Sequence, residues 1–551
     1  MGHEMSRLAP YFQVDALALF VGLFLVLFFV LTILYSSRYL QGKERLGQYY
    51  ACIVLTLLTA LGAVFSNHLV VFLVCWGFLA FLLYLLIGFG STDRTPSTAK
   101  KALIIVGGSD ALMVLGFALI WRLAGSLRMD EIQLGLTSWP AIGAFLCLVS
   151  GALAKAGAMP FHSWVPDTAT DAPIPVTAYL PASLDKLLGI YFLIRIALKL
   201  FRMTPAANTL LMMVGSFTIL AAVMMALAQH DLKRLLGYHA VSQVGYMVLG
   251  IGTGSPVGIA GGLFHMLNNA IYKACLFYGG GAVEKSAGTT DMENLGGLAR
   301  SMPVTFGSFL VASLAISGVP PLNGFASKWM IYQGIIESAR GGGHLWVLWL
   351  VAAMFGSALT LASFMKVVHA VFLGQPSRTL GQCREVSALM WVPSMTLALL
   401  SVVFGVLASP IPLRMLIYPS LGYDPLVPGI WNAGLATGLI LVGLGVGFLI
   451  YLMGNVMTIR ETEIFVGGER AKDHPEMRVS GTEFYYTIQN MAGLKTLYQW
   501  AERRRLDPYD LGIALASGVT KVLQHLHNGI LPTYLAWCLL GATVLLFILL
   551  G

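Results

Sequence analysis

Residues Gly262 to Ala282 read GLFHMLNNAIYKACLFYGGGA. The stretch is apolar and long enough for a membrane, yet His265, Asn269 and Lys273 recur at every fourth position. A step of four turns an α-helix by only about 40° beyond a full turn, so the three polar side chains form one stripe along an otherwise lipid-compatible rod. An ammonium near the bilayer centre costs roughly 2.5–3.5 kcal/mol on insertion scales, so a lysine there must face something inside the protein. The stripe is the first candidate for an ion path.

The rest of the chain has the composition of a membrane protein. Of 551 residues, 57% are hydrophobic and 11% charged, a balance that a soluble globular surface does not carry. A net charge of +8 would suggest nucleic acid in a soluble chain. Here the basic residues flank apolar runs and read as topology signals, so no nucleic-acid partner is expected. Cys52, Cys75, Cys147, Cys275, Cys383 and Cys538 lie mostly inside apolar runs. They lack the paired spacing of a zinc or iron-sulfur site, and no cofactor or metal is expected. Met1 to Pro10 holds one arginine, and no small-residue cleavage motif follows the first apolar run, so the first helix is expected to stay as an anchor.

Runs of crossing length follow at about 15–37, 49–65, 68–89, 101–123, 139–160, 174–200, 206–229, 234–252, 257–281, 303–319, 323–338, 344–373, 386–408, 428–453 and 530–550. Some of these are halves of broken helices. The expectation is an all-α polytopic membrane protein with about 14 transmembrane helices. The loops Arg38 to Gln48 and Ser91 to Lys101 are basic while the link at Ser66 and Asn67 is neutral, which predicts an N-terminus outside the cell.

Two stretches interrupt the helical pattern in similar ways. Lys155 is followed by AGAMPFHSWVPDTATDAPIPVTAYLP and then by Asp185 and Lys186; Lys273 is followed later by ISGVPPLNGFASK, which ends on Lys328. Paired breaks of this kind point to a transporter built from inverted repeats, because freed backbone groups are tolerated where they line a hydrated cavity. Simple kinks are the alternative. Neighbouring residues on a helix point about 100° apart, so Asp185 can meet Lys155 while Lys186 faces elsewhere; otherwise the two cap a broken helix. Asp110, in the 101–123 run, is a second candidate carboxylate or a structural one. Lys366 and His369, in LASFMKVVHAVFLG, extend the row unless His369 is a core histidine. His162 and His239 read as structural. A desolvated amine releases its proton more readily and a neighbouring carboxylate restores its hold, which is the property a proton relay needs.

After Gly454 the sequence becomes polar. Tyr485 to Arg505 and Tyr509 to Leu526 then show helical patterning with basic and apolar faces, broken near Pro508. The predicted organisation is 1–100, N-terminal helices; 101–230 and 231–374, two repeats; 375–453, further helices; 454–529, a surface loop and amphipathic helix; 530–551, a terminal anchor.

The runs DLKRLLGYHAVSQVGYMVLG (Asp231 to Gly250), FHMLNNAIYKACLF (Phe264 to Phe277), SGVPPLNGFASKW (Ser317 to Trp329) and GALAKAGAMPFHSWVPDTATDAPIPVTAYL (Gly151 to Leu180) resemble the antiporter-like membrane subunits of respiratory complex I. That superfamily also holds subunits of energy-converting membrane hydrogenases, formate hydrogenlyase and multi-subunit sodium/proton antiporters. The resemblance runs from about Val14 to Gly374. Towards the C-terminus, FVGGER, GTEFYYTIQN and LDPYDLG are most similar to energy-converting hydrogenase-type subunits. The resemblance implies two inverted five-helix repeats, each with a half-channel, joined by protonatable residues along the midplane. Lys155 matches the first-half channel lysine, Lys273 the central connecting lysine and Lys328 the second-half residue near the break. His265 matches a linking histidine, and Lys233 and Ser242 fall in the motif before it. The C-terminal region matches a lateral helix along the membrane surface. Its two pieces would span roughly 60 Å, enough to brace a neighbouring subunit, with lipid binding at the interface as the alternative.

This chain departs from the family at several positions. Relatives commonly carry a glutamate after the tryptophan of the third helix; VCWGFLAFLLYLLIGF has Gly77 there. Asn269 and Pro181 stand where some relatives have histidine. VDALALF aligns with a segment that longer relatives reach only after two more helices. The implied function is a proton- or sodium-translocating subunit of a redox-driven complex in a prokaryotic cell (inner) membrane. Its implied partners are other membrane subunits, soluble redox subunits and the bilayer. The alternatives are a cation/proton antiporter subunit without a redox arm, the membrane subunit of an inorganic-carbon uptake complex, or an inactivated structural subunit.

Overall fold

A computed structural model describes residues 11–339, 344–377, 380–425, 433–453, 490–491, 493–503, 505, 507–526 and 531–550. The polar stretch with FVGGER and nearly all of GTEFYYTIQN lies outside the described residues. The chain divides into two compact units, Met1–Met491 and Ala492–Gly551.

In the first unit α1 (Ala16–Tyr39), α2 (Leu46–Phe65), α3 (Leu69–Ile87) and α4 (Thr95–Ala124) precede the first break. The broken segment is α5 (Trp139–Ala156) and α6 (Trp164–Asp171), followed by α7 (Ile174–Tyr179), a π turn Leu180–Leu184 and α8 (Asp185–Arg195). Then come α9 (Pro205–Leu227), α10 (Leu232–Gly252), α11 (Pro256–Ala287), the second broken pair α12 (Pro303–Ser317) and α13 (Asn323–Ser338), α14 (Trp346–Val368), α15 (Ala388–Val406), α16 (Tyr418–Leu421) and α17 (Ala433–Met453). Among the described residues, eight helices are long and apolar enough to cross a membrane. Besides these eight, the predicted count of about 14 takes in broken halves, the polar-striped α10 and α11, and α17 and α20. The second unit holds α18 (Leu494–Glu502), α19 (Pro508–Leu526) and α20 (Leu531–Leu550), with α19 opening on the proline that sequence marked as a break.

The same local features occur twice along the first unit. His68 bridges Arg128 in antiparallel fashion, and Asp231 bridges Asp291 in the same way. Leu69 N–H donates to Leu127 O and Leu232 N–H to Thr290 O, each at 2.9 Å. A two-residue strand pair joins Leu134 to Phe201, and its counterpart is the bond from Ala299 N–H to Phe372 O at 3.0 Å. A π turn closes each stretch, at Ile196–Leu200 and His369–Leu373.

The centre of the unit is α10 and α11. In α10 every residue except Arg234 is buried, and α11 is buried without interruption from Val257 to Val283. Helices enclosed by other helices can carry groups that hydrocarbon would reject. Close approach allows it: a β-carbon added at Gly215 of α9 would lie 2.6 Å from Leu249 N, so only glycine fits.

Asp15 anchors the first helix. Its Oδ1 accepts from Ala18 N–H at 2.9 Å, and Arg195 at the end of α8 donates from both terminal nitrogens at 2.5 and 2.7 Å. Burial raises the Asp15 carboxyl and Arg195 outweighs it, so the group sits below the usual range. A depressed carboxylate keeps its full contribution at neutral pH and loses it only as pH falls below about 4. Asp15→Asn preserves the cap but weakens the paired hydrogen bonds, so a loss of roughly 1.5–3 kcal/mol is expected, read as a lower melting temperature in detergent. An unchanged melting point would show that the pair contributes nothing net.

Candidate functional site: a row of buried amines

At the first break Gly157 adopts φ +78° and its N–H reaches Leu153 O and Ala154 O, which ends α5 in a left-handed cap. Lys186 of α8 donates to Ala156 O at 2.7 Å. At the second break Gly318 adopts φ +82°, and Lys328 of α13 donates to Ile316 O at 2.8 Å. Each break thus offers a backbone carbonyl to a buried lysine. Lys328 Nζ also stands 4.7 Å from the centre of the Tyr246 ring.

Lys155, on the last turn of α5, donates to Trp76 O at 3.3 Å and sits 4.8 Å from the Trp76 ring centre, a favourable place for a cation. Two carboxylates act on it, Asp185 first and Asp110 second. Asp185 is 2% exposed, and its Oδ2 makes no hydrogen bond. Asp110 faces Gly77: a β-carbon built there would lie 3.8 Å from Asp110 Oδ2 and near nothing else. The carboxylate missing at position 77 is therefore matched by one from α4. The Trp76 indole lies beside Asp110 but outside hydrogen-bond geometry, so Trp76 Nε1 and Asp110 Oδ1 both stay unpaired.

Lys273 donates to Leu236 O at 2.8 Å between the rings of Phe277 and Phe364, at 5.9 and 5.8 Å. Lys186 is the charge that acts on it. Leu236, His239, Gln243 and Tyr246 fall on one face of α10, which meets Lys273 at Leu236 O and Lys328 at the Tyr246 ring. His239 Nε2 meets Ser363 Oγ at 2.7 Å and its Nδ1 has no partner; Lys273, Lys328 and Lys366 all act on it. By sequence alone His239 reads as structural. Its signal was the spacing from Tyr246, which marks a face but not what meets it.

His265 has both nitrogens engaged, with Ser327 Oγ at 2.9 Å and Gln243 Oε1 at 3.1 Å. Asn269 Nδ2 reaches Ala182 O at 3.5 Å and its Oδ1 is unpaired. Lys366 donates to Leu227 O and Gln229 O at 2.8 and 2.9 Å, at the end of α9. The structure does not bring His369 into the row, since it is exposed at the start of the π turn His369–Leu373. Lys233 is committed to an ion pair with Glu284 at 2.7 Å. Lys155, Lys186, Lys273, Lys328 and Lys366, in contrast, form no ion pair among the described residues, and each is at most 2% exposed.

The family described as NADH:quinone oxidoreductase/Mrp antiporter, transmembrane, matches residues 66–360, which hold Asp110, Lys155, Asp185, Lys186, His239, Lys273 and Lys328 but not Lys366. The chain belongs to that family. Among its members, Na(+)/H(+) antiporter subunit A1 of Staphylococcus haemolyticus is 32% identical over 71% of this chain and 51% of its own length. NADH-quinone oxidoreductase subunit L of Mycobacterium tuberculosis is 33% identical over 76% of this chain and 67% of its own. The chain thus spans about half the length of the antiporter subunit. A chain of the membrane-bound sulfane sulfur reductase, an archaeal respiratory membrane complex, shares the fold with a TM-score of 0.80 at 22% identity, over 98% of this chain and 89% of that one. In this NADH:quinone oxidoreductase/Mrp antiporter member the matched span begins at the His68 bridge and ends inside α14, so it encloses both breaks.

Proposed function

We propose that the chain translocates protons or sodium ions as a membrane subunit of a larger redox-driven complex, along a row running Asp110, Lys155, Asp185, Lys186, Lys273, His239 and Lys328. One observation carries the reading: five buried lysines, the four of this row and Lys366, form no ion pair among the described residues. At insertion values they represent on the order of 10 kcal/mol, comparable with the whole stability of a domain, so a purely structural role would not retain them. The two copies of the repeated local features support two half-channels. The recurrence includes His68 and Arg128, so we draw the first copy from Leu46 rather than from residue 101. Membership of a family whose named relatives include an antiporter subunit and a quinone oxidoreductase subunit supports ion transport by either drive. The chain carries no redox group of its own in this reading, and the drive comes from partner subunits.

Purification through a tag on this chain tests the company it keeps. Copurifying cluster-bearing subunits, with vesicle acidification that requires their electron donor, are the expected result. A complex that exchanges cations for protons without any donor would instead establish the antiporter reading.

A further inference from the structure

A surface cavity of about 440 Å3 opens among the loops joining α1 to α2, α3 to α4 and α6 to α7, with Tyr39, Tyr49, Lys233 and Glu284 in its wall. Glu284 accepts from Lys233 Nζ at 2.7 Å and from Tyr39 Oη at 2.6 Å. Behind this wall lies a series of phenols. Tyr49 is 1% exposed and its hydroxyl makes no hydrogen bond. Ser36 is nearby but directs its own proton to Ile33 O at 3.2 Å. Tyr278 shares a 2.9 Å hydrogen bond with Thr32. Tyr179 is fully buried, its hydroxyl is unpaired, and it lies within the electrostatic reach of Tyr278, Tyr49 and Asp185. Tyr179 ends α7, and one π turn later Asp185 opens α8 with its own Oδ2 unpaired.

A buried hydroxyl left without a partner costs about 1–3 kcal/mol, and natural proteins satisfy the great majority of such groups. Phenylalanine at position 49 or 179 would pack the same ring without that cost. Two unpaired hydroxyls beside a solvent cavity and an unpaired oxygen on a buried carboxylate are the arrangement that bridging water completes.

We propose that Tyr49, Tyr278 and Tyr179 line the route by which protons pass between this cavity and Asp185. The proposal rests on the transport reading above and names its ion. A phenol accepts a proton on oxygen while its own proton moves on, so each tyrosine ends neutral and unchanged. Sodium needs several oxygens converging on one point, which a single file of hydroxyls does not offer.

The test uses the complex purified through this chain and reconstituted in phospholipid vesicles with an internal pH dye. Tyr179→Phe and Tyr49→Phe are each expected to slow proton transport at least about tenfold. Melting temperature should hold or rise, because neither substitution removes a hydrogen bond, and Tyr84→Phe on α3 should transport normally. Replacing sodium by choline should leave the wild-type rate unchanged. Full proton transport by both Tyr179→Phe and Tyr49→Phe would overturn the route, as would a rate that follows sodium. A parallel Lys273→Met sample judges the transport reading separately: if it is inactive while both tyrosine variants run at full speed, the route alone is wrong.

Discussion

Lys273→Met is expected to cut ion transport by at least about a hundredfold while leaving assembly intact. Methionine keeps the length and apolar character of the lysine stem, and the only hydrogen bond lost is the one to Leu236 O. Removing an enclosed amine also removes its desolvation burden, so the variant should be no less stable than the parent. The position matters because Lys273 stands between Lys186, which acts on it from the first break, and His239, on which it acts in turn. The initial rate of acidification in vesicles, beside the subunit composition of the purified complex, gives the answer. Unchanged pumping would leave the amines as scaffolding and favour the structural-subunit alternative.

The second large effect concerns the first half-channel. Asp110→Asn is expected to slow transport about tenfold or more, and adding Gly77→Glu to that variant should recover most of the loss. Position 77 has room, because its added β-carbon meets nothing closer than Asp110 Oδ2 at 3.8 Å. Replacing a mid-helix glycine also favours the helix by roughly 0.5–1 kcal/mol. In the sequence Asp185 is the first candidate carboxylate for Lys155 and Asp110 the second. Because Asp110 Oδ2 is the atom that faces position 77, we assign that place to Asp110 and a separate place beside Lys155 and Lys186 to Asp185. Asp185→Asn should therefore also depress transport, but Glu at position 77 should not rescue it. Rescue of Asp185→Asn and not of Asp110→Asn would reverse the two assignments.

Much of this was legible in the chain itself. The stripe of His265, Asn269 and Lys273 follows from helical periodicity. The breaks after Lys155 and before Lys328 follow from glycine and proline, whose backbone preferences act locally. Other positions depend on contacts that residue type does not specify. Lys233 belongs to the motif before the stripe, but an ion pair with Glu284 holds it. His369 lies one turn beyond Lys366, yet it is exposed. His239 read as an ordinary core histidine until its neighbours from three other helices were known.

The sequence by itself determined that the chain is a bundle of membrane helices, where two of them break, and which amines are too polar for lipid, because hydropathy, helical period and backbone permissiveness are properties of short stretches. Only the tertiary structure decided that Asp110 faces position 77, that Lys273 and Lys328 both meet α10, and that buried hydroxyls without partners lie near a surface cavity. Those facts depend on which faces of distant helices meet. No local pattern encodes the partner a side chain finds across an interface made by segments well separated in the sequence.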